Sequence, residues 1–264
     1  MLKYQGQAKE INNYYNIKKY NDDYYKLVYF KYPVKNYQEE GKIIKRDVND
    51  IKLESNISRS RTNVFEYAIC NDFEYFITLT LDKKKYNRYD LDNYIKDLGQ
   101  FIRDARKKHN TDIQYLLIPE PHKDGAWHMH GLIRGLPVED LKQFKSSDRL
   151  PKNMNKMIND GRLLYNWISY SKKFGFVSVE RIKNTIYVSK YITKYITKDM
   201  DLIQLERKNK KSYYCSRGLK KAEIIKEGSM SGNIETRLKK LNSYQNDYLI
   251  TYDLNLDDLI DLFT

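Results

Sequence analysis

Cysteine is nearly absent from this chain: of 264 residues only Cys70 and Cys215 carry thiols, and they lie far apart. Two distant cysteines cannot build a cysteine zinc site, and in the cytosol such a pair is ordinarily reduced. Five prolines and 11 glycines leave no long low-complexity linker, and no repeat of solenoid length occurs. No stretch approaches eighteen apolar residues, which excludes a membrane-spanning helix. The opening M-L-K-Y-Q-G-Q-A-K-E has no apolar signal core, so a cytoplasmic protein is expected.

What is abundant is positive charge. The net charge is +13, yet the residues from Leu241 onward hold no Lys or Arg and five Asp. That tail carries −5 and the preceding body +18. A body this basic points to a polyanionic partner, nucleic acid above all. The same richness in Lys, Asn, Ile and Tyr also follows from an AT-rich genome, so charge alone leaves the partner open.

The hydrophobic pattern predicts a strand over 24–31, a polar excursion over 35–55 and a helix over 58–71. Residues 74–82, E-Y-F-I-T-L-T-L-D, alternate with period two and predict a central strand. A helix capped by Asp90 or Asp92 runs to His109, with Leu91, Ile95, Leu98, Ile102 and Ala105 as its apolar stripe. Strands follow at 113–118 and 127–134, joined as a hairpin through Pro119–Gly125. A polar, partly helical insertion spans 137–171, then a strand over 174–182, a helix over 184–198 and a short strand at 212–215. This order predicts an α+β domain: an antiparallel sheet with flanking helices and a helical insertion before the fourth strand. Three regions are expected: an N-terminal extension over 1–57 packing on the central domain, the domain itself over 58–221, and a C-terminal region over 222–264. The acidic tail interleaves leucines with its aspartates. It reads as an amphipathic end, or as a segment competing for the basic body.

A-W-H-M-H-G-L-I, residues 126–133, holds two of the four histidines. On a strand His128 and His130 face one side and Met129 the other. Two imidazoles so placed can hold one divalent ion, with Glu120 in P-E-P-H-K-D-G as the preferred third ligand and His122 as its rival. Two imidazoles and a carboxylate suit Mn²⁺ or Mg²⁺ used on phosphate.

Residues 187–199 read Y-V-S-K-Y-I-T-K-Y-I-T-K-D, which is Tyr-x-x-Lys three times. On a helix, positions four apart are turned by only about 40°. Tyr187, Tyr191 and Tyr195 therefore form one stripe, and Lys190, Lys194 and Lys198 another. A tyrosine facing a metal-bound phosphodiester can act as a nucleophile, with a lysine balancing its developing charge.

Together F-I-T-L-T-L-D, W-H-M-H-G-L-I and Y-V-S-K-Y-I-T-K-Y-I-T-K-D resemble the HUH endonucleases, and within them the rolling-circle replication initiator (Rep) proteins of plasmids and phages. The three motifs occur in that family's order across 74–199, and S-Y-Y-C-S-R-G-L-K-K at 212–221 is similar to a segment that follows the tyrosine helix in relatives. The resemblance implies a five-stranded antiparallel sheet of ferredoxin/RRM-like form, with the metal on its central strands. It implies nicking of single-stranded or hairpin origin DNA, attachment to the 5′ end through tyrosine, and rejoining. Relatives with two tyrosines four apart alternate them in successive cleavages. Here Tyr191, with Lys194 as partner, is expected as the principal nucleophile, then Tyr195 with Lys198, then Tyr187. Arg59, Arg61, Lys83, Lys84, Lys85 and Lys190 are expected DNA contacts. No Gly-rich loop ending in Lys-Ser/Thr occurs, so strand separation would fall to a host helicase. A transposase would share this chemistry. A non-catalytic single-strand binder would explain charge and aromatics, but not the histidines and the Tyr-x-x-Lys series together.

Overall fold

A computed structural model describes residues 9–36, 51–196 and 211–264. No described helix is long and apolar enough to cross a membrane. The chain is α+β with two principal antiparallel sheets, and it divides into two compact units: residues 49–220, and residues 1–48 together with 221–264.

The unit over 49–220 begins with helix α1 (Ile51–Ile69). Strand β5 (Tyr75–Thr80) follows, then α2 (Leu91–His109), β6 (Gln114–Pro121) and β7 (Trp127–Arg134). Next come β8 (Leu141–Gln143), α3 (Lys152–Asn159), β9 (Leu164–Trp167), α4 (Ile168–Lys173) and β10 (Val177–Arg181). Helix α5 (Thr185–Ile192) leads into a tighter 3-10 turn (Thr193–Tyr195), and β11 (Tyr214–Cys215) closes the unit. The sheet order is β11-β6-β7-β5-β10-β9-β8. Five of these strands are the expected ones, and β8 and β9 make the sheet seven-stranded. They come from the segment expected to be a helical insertion, where Leu164 and Trp167 are buried.

Two boundaries also differ. The hairpin connection expected from Pro119 is strand as far as Pro121. Strand β11 pairs only with Leu116 and Leu117, so among the described residues the far end of β6 is an open edge, which tolerates residues without an N–H. Helix α1 starts seven residues before the expected Ser58, at Ile51.

Each sheet face has its own cover. Ile77, Leu79, Leu117, Met129 and Ile133 meet Leu91, Tyr94, Leu98 and Ile102 of α2. Leu116, Ile118 and Leu132 meet Val64 and Ala68 of α1 and Val188 and Ile192 of α5. Asp90 caps α2 by accepting from Asn93 N, and Asn110 closes it in the left-handed conformation.

The other unit holds β1 (Lys9–Ile11), β2 (Tyr14–Lys19), β3 (Tyr25–Phe30) and β4 (Val34–Asn36) from the first segment. From the last segment come β12 (Glu223–Ser229), α6 (Gly232–Leu238), β13 (Ser243–Gln245), β14 (Leu249–Leu254) and α7 (Leu256–Phe263). Its main sheet runs β12-β2-β3-β14-β13, while β1 and β4 pair apart. The regions expected separately at 1–57 and 222–264 thus share one sheet. The acidic tail is built into it. Leu254 and Leu262 join Tyr15, Ile17, Tyr25 and Leu27 in a core, and Asn255 and Asp258 form a capping box on α7. Asp257 and Asp258 sit in the first turn of α7, where negative charge complements the helix dipole.

Candidate active site

Strand β7 presents His128 and His130 on one face by its two-residue period, while Met129 is buried under α2. Register supplies their neighbours. Thr78 stands opposite His130 and Thr80 opposite His128 on β5, and Glu120 stands opposite His128 on β6. Thr78 Oγ1 lies 3.2 Å from His130 Nδ1, and Thr80 Oγ1 lies 3.3 Å from His128 Nδ1. These contacts orient both rings and leave their Nε2 atoms for the site. His130 Nε2 lies 2.7 Å from Glu120 Oε2. Gly131 permits the close strand approach beside them, since a Cβ there would lie 2.3 Å from the Leu116 carbonyl oxygen.

The tyrosine helix lies over this face. Asn184 caps α5 by accepting from Tyr187 N, and Val188 and Ile192 anchor it against α1 and the sheet. The ring of Tyr195 stacks on His130 with centroids 4.1 Å apart and planes 12° apart. Tyr191 and Tyr195 hydroxyls are 3.0 Å apart, and Lys194 Nζ is 5.5 Å from the Tyr191 ring centroid. Phe76 meets Tyr191 edge-on at 5.7 Å and stacks near Tyr195 at 6.4 Å. Arg61 Nε donates to the Ile196 carbonyl at 2.8 Å, tying α1 to the end of the 3-10 turn.

The electrostatics follow from these contacts. The hydrogen bond with His130 is the main cause that holds the Glu120 carboxyl below its ordinary range. Burial first, and then the neighbouring His122 and His130, push the His128 imidazole down, favouring its neutral, ligand-competent form. Burial, then the hydrogen bond with Tyr191, pushes the Tyr195 phenol up. Tyr195 therefore keeps its proton and can donate it to the Tyr191 oxygen.

Glu120, His128, His130, Tyr191, Tyr195 and Lys194 are thus brought together. Tyr187 is 68% exposed and stacks outward on Tyr191 at 6.3 Å, while Lys190 lies exposed on α5. Arg59 is exposed on α1, whereas Arg61, an expected DNA contact, is engaged with Ile196 O. Lys83, Lys84 and Lys85 are exposed after β5, with Lys85 Nζ donating to Ser171 O. Lys198 lies outside the described residues. His122, the rival third ligand, is 61% exposed at its side chain and 3.4 Å from Asp124. Thr78, Thr80 and Phe76 were not anticipated as site residues. Their signal was present: Thr-x-Thr has the same spacing as His-x-His, and two such strands in register pair them one to one.

Among the described residues, no three His, Cys, Asp or Glu side chains converge on one point as ligands. The Glu120 carboxylate is instead hydrogen bonded to the imidazole nitrogen it would share an ion with. The donor chemistry nonetheless suits a hard divalent cation: one carboxylate, two imidazoles with Nδ1 on hydroxyls, and all three on one sheet face.

Residues 74–200 match a family model of replication-associated proteins, the ORF2 type. The match supports a replication initiator of the Rep type. It runs from the edge of β5 through the tyrosine helix, so it covers every residue of the cluster described above. It spans just under half of the chain and leaves out the unit built from the two outer segments. No curated protein and no solved structure matches the chain.

Proposed function

We propose that the protein initiates replication by nicking and rejoining single-stranded DNA through tyrosine. The observation that carries this reading is the stack of Tyr195 on His130, with the Tyr191 hydroxyl 3.0 Å from that of Tyr195. A nucleophile pair and a histidine–carboxylate cluster on one sheet face are what transesterification of a phosphodiester requires.

Tyr191 attacks the scissile phosphorus. The bond to O3′ breaks, the phosphate stays on the tyrosine as a 5′-phosphotyrosine, and the departing strand gains a 3′-hydroxyl. The phenolic proton lost by Tyr191 is balanced by the proton taken up at O3′. Tyr195 donates a hydrogen bond to the Tyr191 oxygen as it becomes anionic, and the Lys194 ammonium balances the same charge. Attack of a 3′-hydroxyl on the phosphotyrosine reverses the step and rejoins DNA without an external energy source. Glu120, His128 and His130 would hold a Mn²⁺ or Mg²⁺ ion, which supplies Lewis-acid polarisation of the phosphate when bound.

The test uses 5′- and 3′-labelled single-stranded oligonucleotides from the protein's own replicon, with Mn²⁺ or with chelator, resolved on denaturing protein gels. The expected result is a retarded adduct carrying the strand downstream of the nick, absent with chelator, in His128→Ala and in Tyr191→Phe. Cleavage without adduct would mean that water is the nucleophile. Binding without cleavage would make the chain a single-strand binder.

A further inference from the structure

The row of the sheet that holds the histidines continues beyond them. Thr80 N donates to Phe176 O at 2.9 Å, which extends the β5–β10 register one residue past the Val177–Leu79 pair. Phe176 therefore stands opposite Thr80, Thr80 opposite His128, and His128 opposite Glu120. Directly opposed side chains of antiparallel strands share a face. Val177, the next residue, is buried in the α2 cluster, so alternation turns Phe176 to the histidine side. Two strand spacings separate it from His128, about 10 Å.

Phe176 is 40% exposed. Phe144, just after β8, lies against it with ring centroids 6.0 Å apart and planes 24° apart. Neither ring belongs to any of the buried clusters among the described residues. Cations rim the pair. Lys145 is exposed beside Phe144, and Lys83 and Lys84 are exposed where the chain leaves β5. Asp148, near Lys145, is engaged in accepting from Lys145 N.

From this arrangement we infer that Phe144 and Phe176 form a stacking platform for a base of the single strand flanking the scissile phosphate. Lys83, Lys84 and Lys145 meet the adjoining phosphates. The inference rests on the nuclease reading above. A flat apolar surface edged by ammonium groups matches an unpaired base on an anionic backbone, whereas a duplex has its base faces already covered. The platform holds the strand in line with His128 and is not itself part of the chemistry.

The test measures binding of fluorescein-labelled oligothymidylate by anisotropy, in chelator so that no cleavage occurs, across a salt series. Phe176→Ala is expected to weaken binding about tenfold with an unchanged salt slope, because a stacking contact and no phosphate contact is lost. Phe176→Trp is expected to retain affinity, and its added indole fluorescence to be quenched by the DNA beyond any change in wild type. Circular dichroism checks that the variants fold. If Phe176→Ala does not fold, Phe144→Ala and the Phe176→Trp quenching decide. Wild-type affinity in both alanine variants, or an unquenched indole at 176, overturns the platform and leaves the nuclease reading standing. Failure of the wild-type protein to bind any single strand overturns that reading and the platform together.

Discussion

At the scale of single residues, the hydroxyl pair divides into unequal roles. Tyr195 is held protonated by burial and by its bond to Tyr191, so its part is to donate. Tyr195→Phe should therefore lower nicking about 10²-fold while leaving DNA binding intact, as loss of one preorganised donor does. Tyr191→Phe should abolish the covalent adduct. Single-turnover nicking assays with both variants would check this, and full activity in Tyr191→Phe would reverse the assignment. Gly131→Ala tests the strand approach beneath the histidines. Its Cβ would meet the Leu116 carbonyl oxygen and the Leu117 side chain, so stability should fall by about 1–3 kcal/mol, read as a lower thermal midpoint. Much at this scale was legible beforehand. His-x-His and Thr-x-Thr declare their faces by period alone. The third ligand was not decided by spacing, since Glu120 and His122 both lie near. Cross-strand register separates them, placing Glu120 opposite His128 and leaving His122 in solvent beside Asp124.

At the scale of elements, the tyrosine segment is held from two directions. Asn184 caps its start, and Arg61 grips the Ile196 carbonyl at its end. Arg61→Ala should therefore reduce nicking several-fold more than it reduces single-strand affinity. A pure phosphate contact would instead lose affinity and salt dependence in parallel. Lys84→Glu is the comparison: exposed after β5, it should weaken binding and flatten the salt slope. The long, periodic elements β5, α2, β7 and α5 were legible because each carries enough residues to show a period. Strands β8 and β9 were not. Three and four residues show no alternation, and L-Y-N-W announces a strand only when a neighbour is there to pair with it.

At the scale of the whole molecule, phenols matter through their number. Among the 25 tyrosines, burial is the main cause that raises Tyr15, Tyr24, Tyr94, Tyr115, Tyr170 and Tyr252, from both units. A phenol raised in the folded state stabilises the fold below its ordinary value of 10.0, and that contribution is lost as pH rises beyond it. Unfolding above pH 10 should therefore be steep, with phenolate absorbance and loss of circular dichroism rising together. Phenolate appearing well before the fold is lost would contradict it. Tyr24→Phe should shift this alkaline limit upward, since that ring no longer has a proton to lose beside Asp253. The partnership of the two outer segments was invisible in the sequence. β2 and β12, or β3 and β14, are joined by pairing alone, and long-range pairing leaves no local pattern.

That partnership sets an order of assembly. On the ribosome β2 and β3 emerge early, and as a lone hairpin they are marginal at best. Their partners β12 and β14 are encoded beyond the entire 49–220 unit. That unit can condense while its neighbour is still half made, and the smaller sheet closes last. A stalled or clipped chain lacking β12–α7 would carry a finished histidine–tyrosine cluster beside an unpaired, tyrosine-rich hairpin, and such exposed strand edges seek other chains.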